Sequence, residues 1–488
     1  MTATLTPPRL PSASAPASAP AGGLRLPLLV GGAVQAVLLL WWASFYPGLT
    51  SYDSAVYVQE VTGGGAWHSD HSVLYNALVW LALRLPGRLA ALTLAQTVLA
   101  SATLAYTCVA MRALGCRGRW TAPIAVLLAA TAPVGAFTVF IWKDVPFTLC
   151  SVLVFAASAR LLARRAGRAD WWVLGAALLG LGLFRNNGLG VALVAGLVLT
   201  AALTGRRLRV ALLTLAAVAV SLLGQLVLYP ALGITPPSVS SVNSLNYHDL
   251  AVAYAAQPGL YTPADTAVLA QVAPLEQWAR GGANCYVSDQ LVLAAGFDRA
   301  AAERVNDRLL ELWLRTLAQR PDLVLNARIC RGHIAWSPFP GPPEKMAHTW
   351  IAAPPPAPAD LYGVAAPGTP LAANPYRQAL YSHPLLPLLR PVAAFWYNTF
   401  RVPQLNWLCY RGATWCYLGY AAIAWYGRRR RMPAAYALAG VLIGFQLSVL
   451  VANPAPLYRY LVGPLFIAPF CLALIPAVRR PDQPVPKA

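Results

Sequence analysis

Along the chain, long apolar stretches alternate with short polar connections, most of which carry arginine. Apolar runs at 24–46, 89–112, 120–141, 145–163, 189–204, 209–230, 404–427, 433–452 and 457–476 each come close to the ~20 residues that a membrane-spanning helix needs. Two shorter runs are treated differently. SVLYNALVWLALRL at 72–85, bracketed by His71 and Pro86, predicts an interfacial or re-entrant helix. WWVLGAALLGLGLF at 171–184 predicts a span, with Trp171 and Trp172 as anchors at one interface. The runs are continuous and rich in Leu, Ala and Val, which argues against the alternating ten-residue strands of an outer-membrane barrel.

The arginines set the topology. With a cytoplasmic N-terminus, a non-crossing 72–85 and a crossing 171–184, the connections holding Arg112/Arg117/Arg119, Arg160/Arg164/Arg165/Arg168, Arg206/Arg207/Arg209, Arg428 to Arg431 and Arg479/Arg480 all fall inside. Making 72–85 a span would turn the next three clusters outward. The expectation is an all-α polytopic protein of the cell membrane, with about ten transmembrane helices and both termini cytoplasmic. Its parts are a disordered Pro/Ala/Ser-rich tail (1–23), a transmembrane module (24–230) with a first external loop at 47–88, an external domain (231–403), C-terminal spans (404–476) and a tail (477–488). In the external domain, helical patterns are expected at 262–279, starting at Thr262, and at 298–319, followed by a Pro-rich loop at 337–376. No internal repeat is visible.

Composition agrees with a membrane protein. The chain is 58% hydrophobic and only 11% charged, which excludes an ordinary soluble enzyme, where about a quarter of residues are charged. Its net charge of +20 would suggest a nucleic-acid partner in a soluble chain. Divided by the expected topology, the charge becomes about +17 inside and about +3 outside, so the basic excess is mainly a topology signal. All acids but Asp170 and Asp482 lie outside. Six of eight cysteines fall in or beside spans; Cys285 and Cys330 share the external domain and are candidates for a disulfide if that side is oxidising. No Walker loop, Cys-x-x-Cys or Cys/His zinc spacing is present, so nucleotide and structural-zinc readings have no support.

The polar residues at the external surface carry the candidate chemistry. The first loop, FYPGLTSYDSAVYVQEVTGGGAWHSDHSVLYNALVW, holds Asp53, Glu60, His68, Asp70 and His71 within a short distance of the first span. The ordinary reading of Asp53 is a solvated loop charge; the functional one is an acid at the membrane surface. Asp70 or Ser69 suits the N-cap of the following helix, and two histidines with a carboxylate at loose spacing are a weak metal signal. Lys143 and Asp144 interrupt two apolar runs, either to mark a turn or to serve a site, since ionisable groups at the membrane edge are costly. Arg185 in FRNNG and Arg459 in PLYRYL are isolated cations on the side where cations are disfavoured, and Arg411 is expected inside the span WLCYRGATWCYL. Cations there suit a phosphate anchored in the outer leaflet.

The order of these features resembles the GT-C class of membrane glycosyltransferases, nearest to the bacterial branch related to protein mannosyltransferases and lipid A aminoarabinose transferases. The match rests on an acid in the loop after helix one (Asp53 in TSYDSAVYVQ), a juxtamembrane helix introduced by His71, and an acid between helices three and four (Asp144 in WKDVPF). A basic residue after helix five (Arg185) and a late Arg-Tyr pair (Arg459-Tyr460) complete it. It covers about 24–230 and 433–476; residues 231–403 match nothing in that class. The resemblance implies transfer of a hexose or pentose from a polyprenyl-phosphate carrier to a cell-envelope glycan, lipid or protein acceptor, with membrane lipid as surroundings and no nucleic acid. Asp53 is implied as general base and Asp144 as a second catalytic-site carboxylate that positions the acceptor or Lys143, with Lys143, Arg185, Arg411, Arg459, Tyr460, His68 and His71 binding substrate. The single Asp53, in place of an Asp-Glu or Asp-x-Asp pair, leaves a divalent cation open as cofactor. A transporter or lipid flippase is the alternative, though such proteins set polar residues near the midplane with internal symmetry. A non-catalytic assembly protein is a third reading. Trp278, Trp336, Trp350 and Tyr286 in the external domain are read as packing residues rather than sugar platforms.

Overall fold

The computed structural model describes residues 25–85, 88–342 and 371–477. The expected tails, most of the Pro-rich loop and Trp350 lie outside the described residues. The fold is all-helical: among the described residues there is no strand, only isolated bridges between Leu49 and Phe140 and between His68 and Thr235. The first part of the chain runs through α1 (Arg25–Ser44), α2 (Tyr52–Thr62), α3 (Val73–Arg84), α4 (Ala90–Ala113), α5 (Gly118–Ala130), α6 (Asp144–Leu162), α7 (Arg168–Phe184), α8 (Gly188–Ala202) and α9 (Arg207–Leu223).

Among the described residues, five helices are long and apolar enough to cross a membrane: Arg25–Ser44, Ala90–Ala113, Asp144–Leu162, Thr204–Ala231 and Pro433–Val451. The other expected spans are shorter or broken. The run at 120–141 stops at Ala130, where Thr131 turns extended and Pro133 withholds a donor; a π-helical turn, Ala132–Ala136, follows. The run at 404–427 divides into a turn, Asn406–Cys409, and a helix, Gly412–Arg429, with Arg411 extended between them. The run at 457–476 becomes a 3-10 turn, Tyr458–Leu461, and a ten-residue helix, Gly463–Leu472. α3, with 12 residues, is about 18 Å long, short of a bilayer core.

α6 is the hub. Within its most apolar window 89% of residues are buried, against 22% for α1 and for the helix through 204–231. It packs against α4 and α7 and against the late helix Gly463–Leu472. α8 and α9 meet closely at Gly196, where a Cβ would collide with the Thr214 side chain.

The segment after α9 forms its own helical core around Trp278, Tyr247, Leu250 and Leu309. Both helical patterns expected there occur, but each is split: Pro263–Val272 and Leu275–Ala283 are separated at Ala273-Pro274, and Arg299–Arg304 and Asn306–Gln319 at Val305. Thr262 and Asp298 are side-chain N-caps, accepting from the Asp265 and Ala301 amides. A disulfide joins Cys285 and Cys330. This domain is seated on the membrane helices by Asn453 Nδ2 donating to the Arg331 carbonyl (2.7 Å) and Gln446 Nε2 to the Ala335 carbonyl (2.6 Å). A buried ion cluster lies beside that seat: Asp249 accepts from both Arg328 and Arg331.

Candidate functional site

α6 and α8 begin, and α7 ends, at the same end of the helix set as the loop after α1. Backbone pairing fixes this meeting. Leu49 N donates to the Val139 carbonyl (3.0 Å) and Ile141 N to the Leu49 carbonyl (2.9 Å), so the first loop lies against the turn before α6. Ser54 Oγ adds a bond to the Ile141 carbonyl (2.9 Å). Gln96 of α4 donates to the Thr138 and Phe140 carbonyls (3.0 and 2.8 Å) and accepts from the Tyr75 hydroxyl of α3 (3.0 Å). Ser72 Oγ donates to the Leu183 carbonyl (2.8 Å), tying the start of α3 to the end of α7.

These ties bring seven of the sequence-predicted residues together, five of them charged. Asp53, in the first turn of α2, accepts from Arg459 Nη1; the pair is 13% and 17% exposed. Arg459 also lies 4.0 Å from Asp144 Oδ2, and Asp144, 1% exposed, accepts from Arg185. Arg185 is held by Asn187 Oδ1 (3.1 Å) and lies over the Tyr460 ring at 4.6 Å. Lys143 donates to His71 Nδ1 at 2.9 Å. The Tyr460 hydroxyl accepts from Arg459 Nη2 at 3.4 Å.

The network polarises its members. Burial alone would raise the Asp53 carboxyl, but Arg459, with help from Lys143, holds it well below the usual carboxylate range. Burial and the Lys143 ammonium push His71 down to about 3, so its ring is neutral and accepts a hydrogen bond from the lysine at Nδ1. Burial, aided by Arg185 and Arg459, lowers Lys143 to about 8. The site therefore holds a fixed carboxylate, a neutral imidazole and an ammonium that titrates just above neutrality.

Three expectations change. His68 stands outside the network: its half-exposed ring faces Glu60 at 3.2 Å, and its backbone belongs to the bridge with Thr235. Neither Asp70 nor Ser69 caps α3; Ser72 does, accepting from the Tyr75 amide at 3.1 Å, because the helix starts at Val73. Arg411 is not within a span but at the N-cap of Gly412–Arg429, and it does not join the carboxylates. Its Nε donates to Asn406 Oδ1 (3.1 Å), while Nη1 and Nη2 are buried without partners. Gly412 allows this, since a Cβ there would collide with the Leu461 carbonyl at the end of the turn that carries Arg459. Of the aromatics of the domain after α9, Trp278 is fully buried and packs, whereas Trp336 is 42% exposed.

Two residues of the site were not anticipated. Trp142 lies under Arg459, 5.4 Å from its guanidinium carbon. Tyr57, fully buried, stacks edge-on to His71 and carries a hydroxyl without a partner. A sequence signal existed for Tyr57, which stands four residues after Asp53 and so shares its helix face.

As a donor set for a divalent cation, these residues fit poorly. Both carboxylates already face guanidinium groups, and among the described residues no three His, Cys, Asp or Glu side chains converge. Compared with protein-family models, curated proteins and solved structures, the chain matches none.

Proposed function

We propose that the protein is a multi-pass membrane glycosyltransferase that moves a sugar from a polyprenyl-phosphate carrier to a cell-envelope acceptor, at the end of the helices carrying Asp53. On this reading about ten helical segments cross or re-enter the bilayer, the termini are cytoplasmic and the domain at 231–403 is external. One observation carries it. Two carboxylates and three cations, from stretches as far apart as 406 residues, meet at one end of a set of membrane helices. A transporter would instead place such groups near the midplane.

The chemistry follows from charge. The acceptor hydroxyl oxygen attacks the anomeric carbon, the carbon–oxygen bond to phosphate breaks, and the phosphate leaves with the electron pair. Arg459, Arg185 and the Lys143 ammonium are set to stabilise that charge. The hydroxyl proton passes to Asp53. While Arg459 holds it, Asp53 is a weak base. A phosphate that takes over the guanidinium leaves the carboxylate buried beside the acceptor, and burial then strengthens it as a base. Donor binding thus switches on proton acceptance. Asp144 acts as a positioning residue that orients Arg185.

The test uses the full-length protein in lipid vesicles with a panel of polyprenyl-phosphate-linked hexoses and pentoses, reading covalent transfer to membrane acceptors. Asp53→Asn should lower transfer by about 10² or more, the usual worth of a general base. Transfer at the wild-type rate by Asp53→Asn, or movement of the intact donor across the membrane with no transfer, would overturn the assignment.

A further inference from the structure

A cationic cavity lies at the end of the helices opposite the ion network, a full length of α7 away from Arg185, or about 25 Å. It has a volume of about 780 Å³ and opens between the start of α7 and the α8–α9 connection. Its polar wall is Arg206, Arg207 and Arg209; its apolar wall is Trp171, Leu208 and Leu212.

The charges here are unbalanced. The one carboxylate at this end among the described residues is Asp170. It is already engaged by Arg160 (3.2 Å), by the Tyr106 hydroxyl (2.7 Å) and by the Gly167 amide (2.6 Å). No acid lines the cavity. Arg209 and Arg206 instead lie over the two-ring face of Trp171, with guanidinium carbons 4.1 and 5.9 Å from its centre. Arg206 Nη1 is buried with no hydrogen-bond partner. The cluster also sits at the start of α9, whose first turn has neither an acid nor a side-chain cap, so the helix dipole adds to the positive field. Three like charges held together in a cleft are stable when an anion joins them.

The surroundings define the anion. α9 is a peripheral helix, and Leu208, Leu212 and Leu215 are 73%, 56% and 59% exposed along its outer side. An apolar stripe therefore leads from the arginines along the helix, as acyl chains would run from a headgroup. The arginine-rich end is also the one that the charge distribution of the sequence assigns to the inner leaflet, where anionic lipids attract basic clusters.

We propose that this cavity binds the phosphodiester headgroup of an anionic phospholipid, with Arg206 and Arg209 on the phosphate, Trp171 at the headgroup level and the acyl chains along Leu208 and Leu212. The site is independent of the glycosyl-transfer reading. It gives the peripheral α8–α9 hairpin an electrostatic anchor to the bilayer.

The experiment is native mass spectrometry of the full-length protein released from mixed phosphatidylglycerol and phosphatidylcholine vesicles, with thermal unfolding in detergent as a second readout. The wild type should retain phosphatidylglycerol at least about fivefold over phosphatidylcholine, and added phosphatidylglycerol, but not inorganic phosphate, should raise its unfolding midpoint. Arg206→Gln with Arg209→Gln should bring the ratio close to one, whereas Arg428→Gln with Arg429→Gln, at the same end, should preserve most of it. If the Arg206/Arg209 variant fails to fold, a photoactivatable phosphatidylglycerol on the wild type should label the peptide around 204–215. An unchanged ratio in that variant, an equal midpoint shift with inorganic phosphate, or labelling confined to other peptides would overturn the proposal.

Discussion

Arg459→Gln is the most informative perturbation of the ion network. The substitution removes the guanidinium that faces Asp53 and leaves Asp144 with Arg185. Asp53 is 13% exposed, so its carboxylate loses its main counter-charge without gaining water. Breaking a buried pair from one side costs about 3–5 kcal/mol, and the residual exposure of this pair places it near the lower end, about 3 kcal/mol. The cost depends on pH with a definite sign. In the wild type, the depressed Asp53 pKa contributes stability that is present above the ordinary carboxylate value of ~3.9 and lost only as pH falls through the still lower folded value. In the variant, burial dominates and the folded pKa moves up, so the loss is full where Asp53 is ionised, near pH 7.5, and is relieved near pH 5 as it takes a proton. Asp53→Asn added to Arg459→Gln should recover most of the loss, because a neutral amide needs no counter-ion. Unfolding followed by tryptophan fluorescence in detergent at the two pH values measures this directly. Equal destabilisation at both pH values, with no recovery in the double variant, would refute the argument.

The other predictions address the lysine and the helical domain after α9. The proposed sugar transfer should fall above about pH 8 as the buried Lys143 ammonium loses its proton; Lys143→Arg should keep transfer and remove that alkaline limb in the pH–rate profile. Asp249→Asn should cost about 3–5 kcal/mol in unfolding measurements, since it strands Arg331, which is 1% exposed, together with Arg328. Asp322→Asn, which breaks the surface pair with Arg320, should leave the midpoint unchanged. Replacing Cys285 and Cys330 by serine opens a loop of 45-residue separation, worth about 4 kcal/mol in chain entropy, and a reductant should lower the wild-type midpoint to that of the variant.

What the sequence made legible was chemistry at boundaries. Asp53, Lys143, Asp144, Arg185 and Arg459 stood out because each interrupts or ends an apolar run, where an ionisable group is expensive, and the structure brings these five together with His71. Continuous helices were harder to read. Pro133 and the Tyr410-Arg411 break sit inside runs that hydropathy alone joins, since a window average does not register a missing donor or an extended residue. His68 was grouped with His71 by adjacency, yet three residues separate a ring at the network from one facing Glu60. Trp142 and Tyr57 were hidden because aromatic residues are abundant in apolar stretches, and only the fold shows that these two face charges.

The network also explains why Arg459 faces both carboxylates rather than one. A guanidinium within reach of Asp53 and Asp144 can give up one partner at less cost than it can give up both. An incoming phosphate then competes chiefly with Asp53, because Asp144 keeps Arg185, whose own position is fixed by Asn187 and Tyr460. Glycosyl transfer of the proposed kind needs this asymmetry: one carboxylate must be released to accept a proton while the other stays on its guanidinium and holds that cation against the departing phosphate. Asp144→Asn should therefore differ in kind from Asp53→Asn. It should weaken donor binding, seen as a raised KM, because Arg185 loses the carboxylate that aims its guanidinium, whereas Asp53→Asn should lower kcat with donor binding retained. Identical changes in both parameters for the two variants would mean that the carboxylates act as one unit, and the division of labour between them would fall.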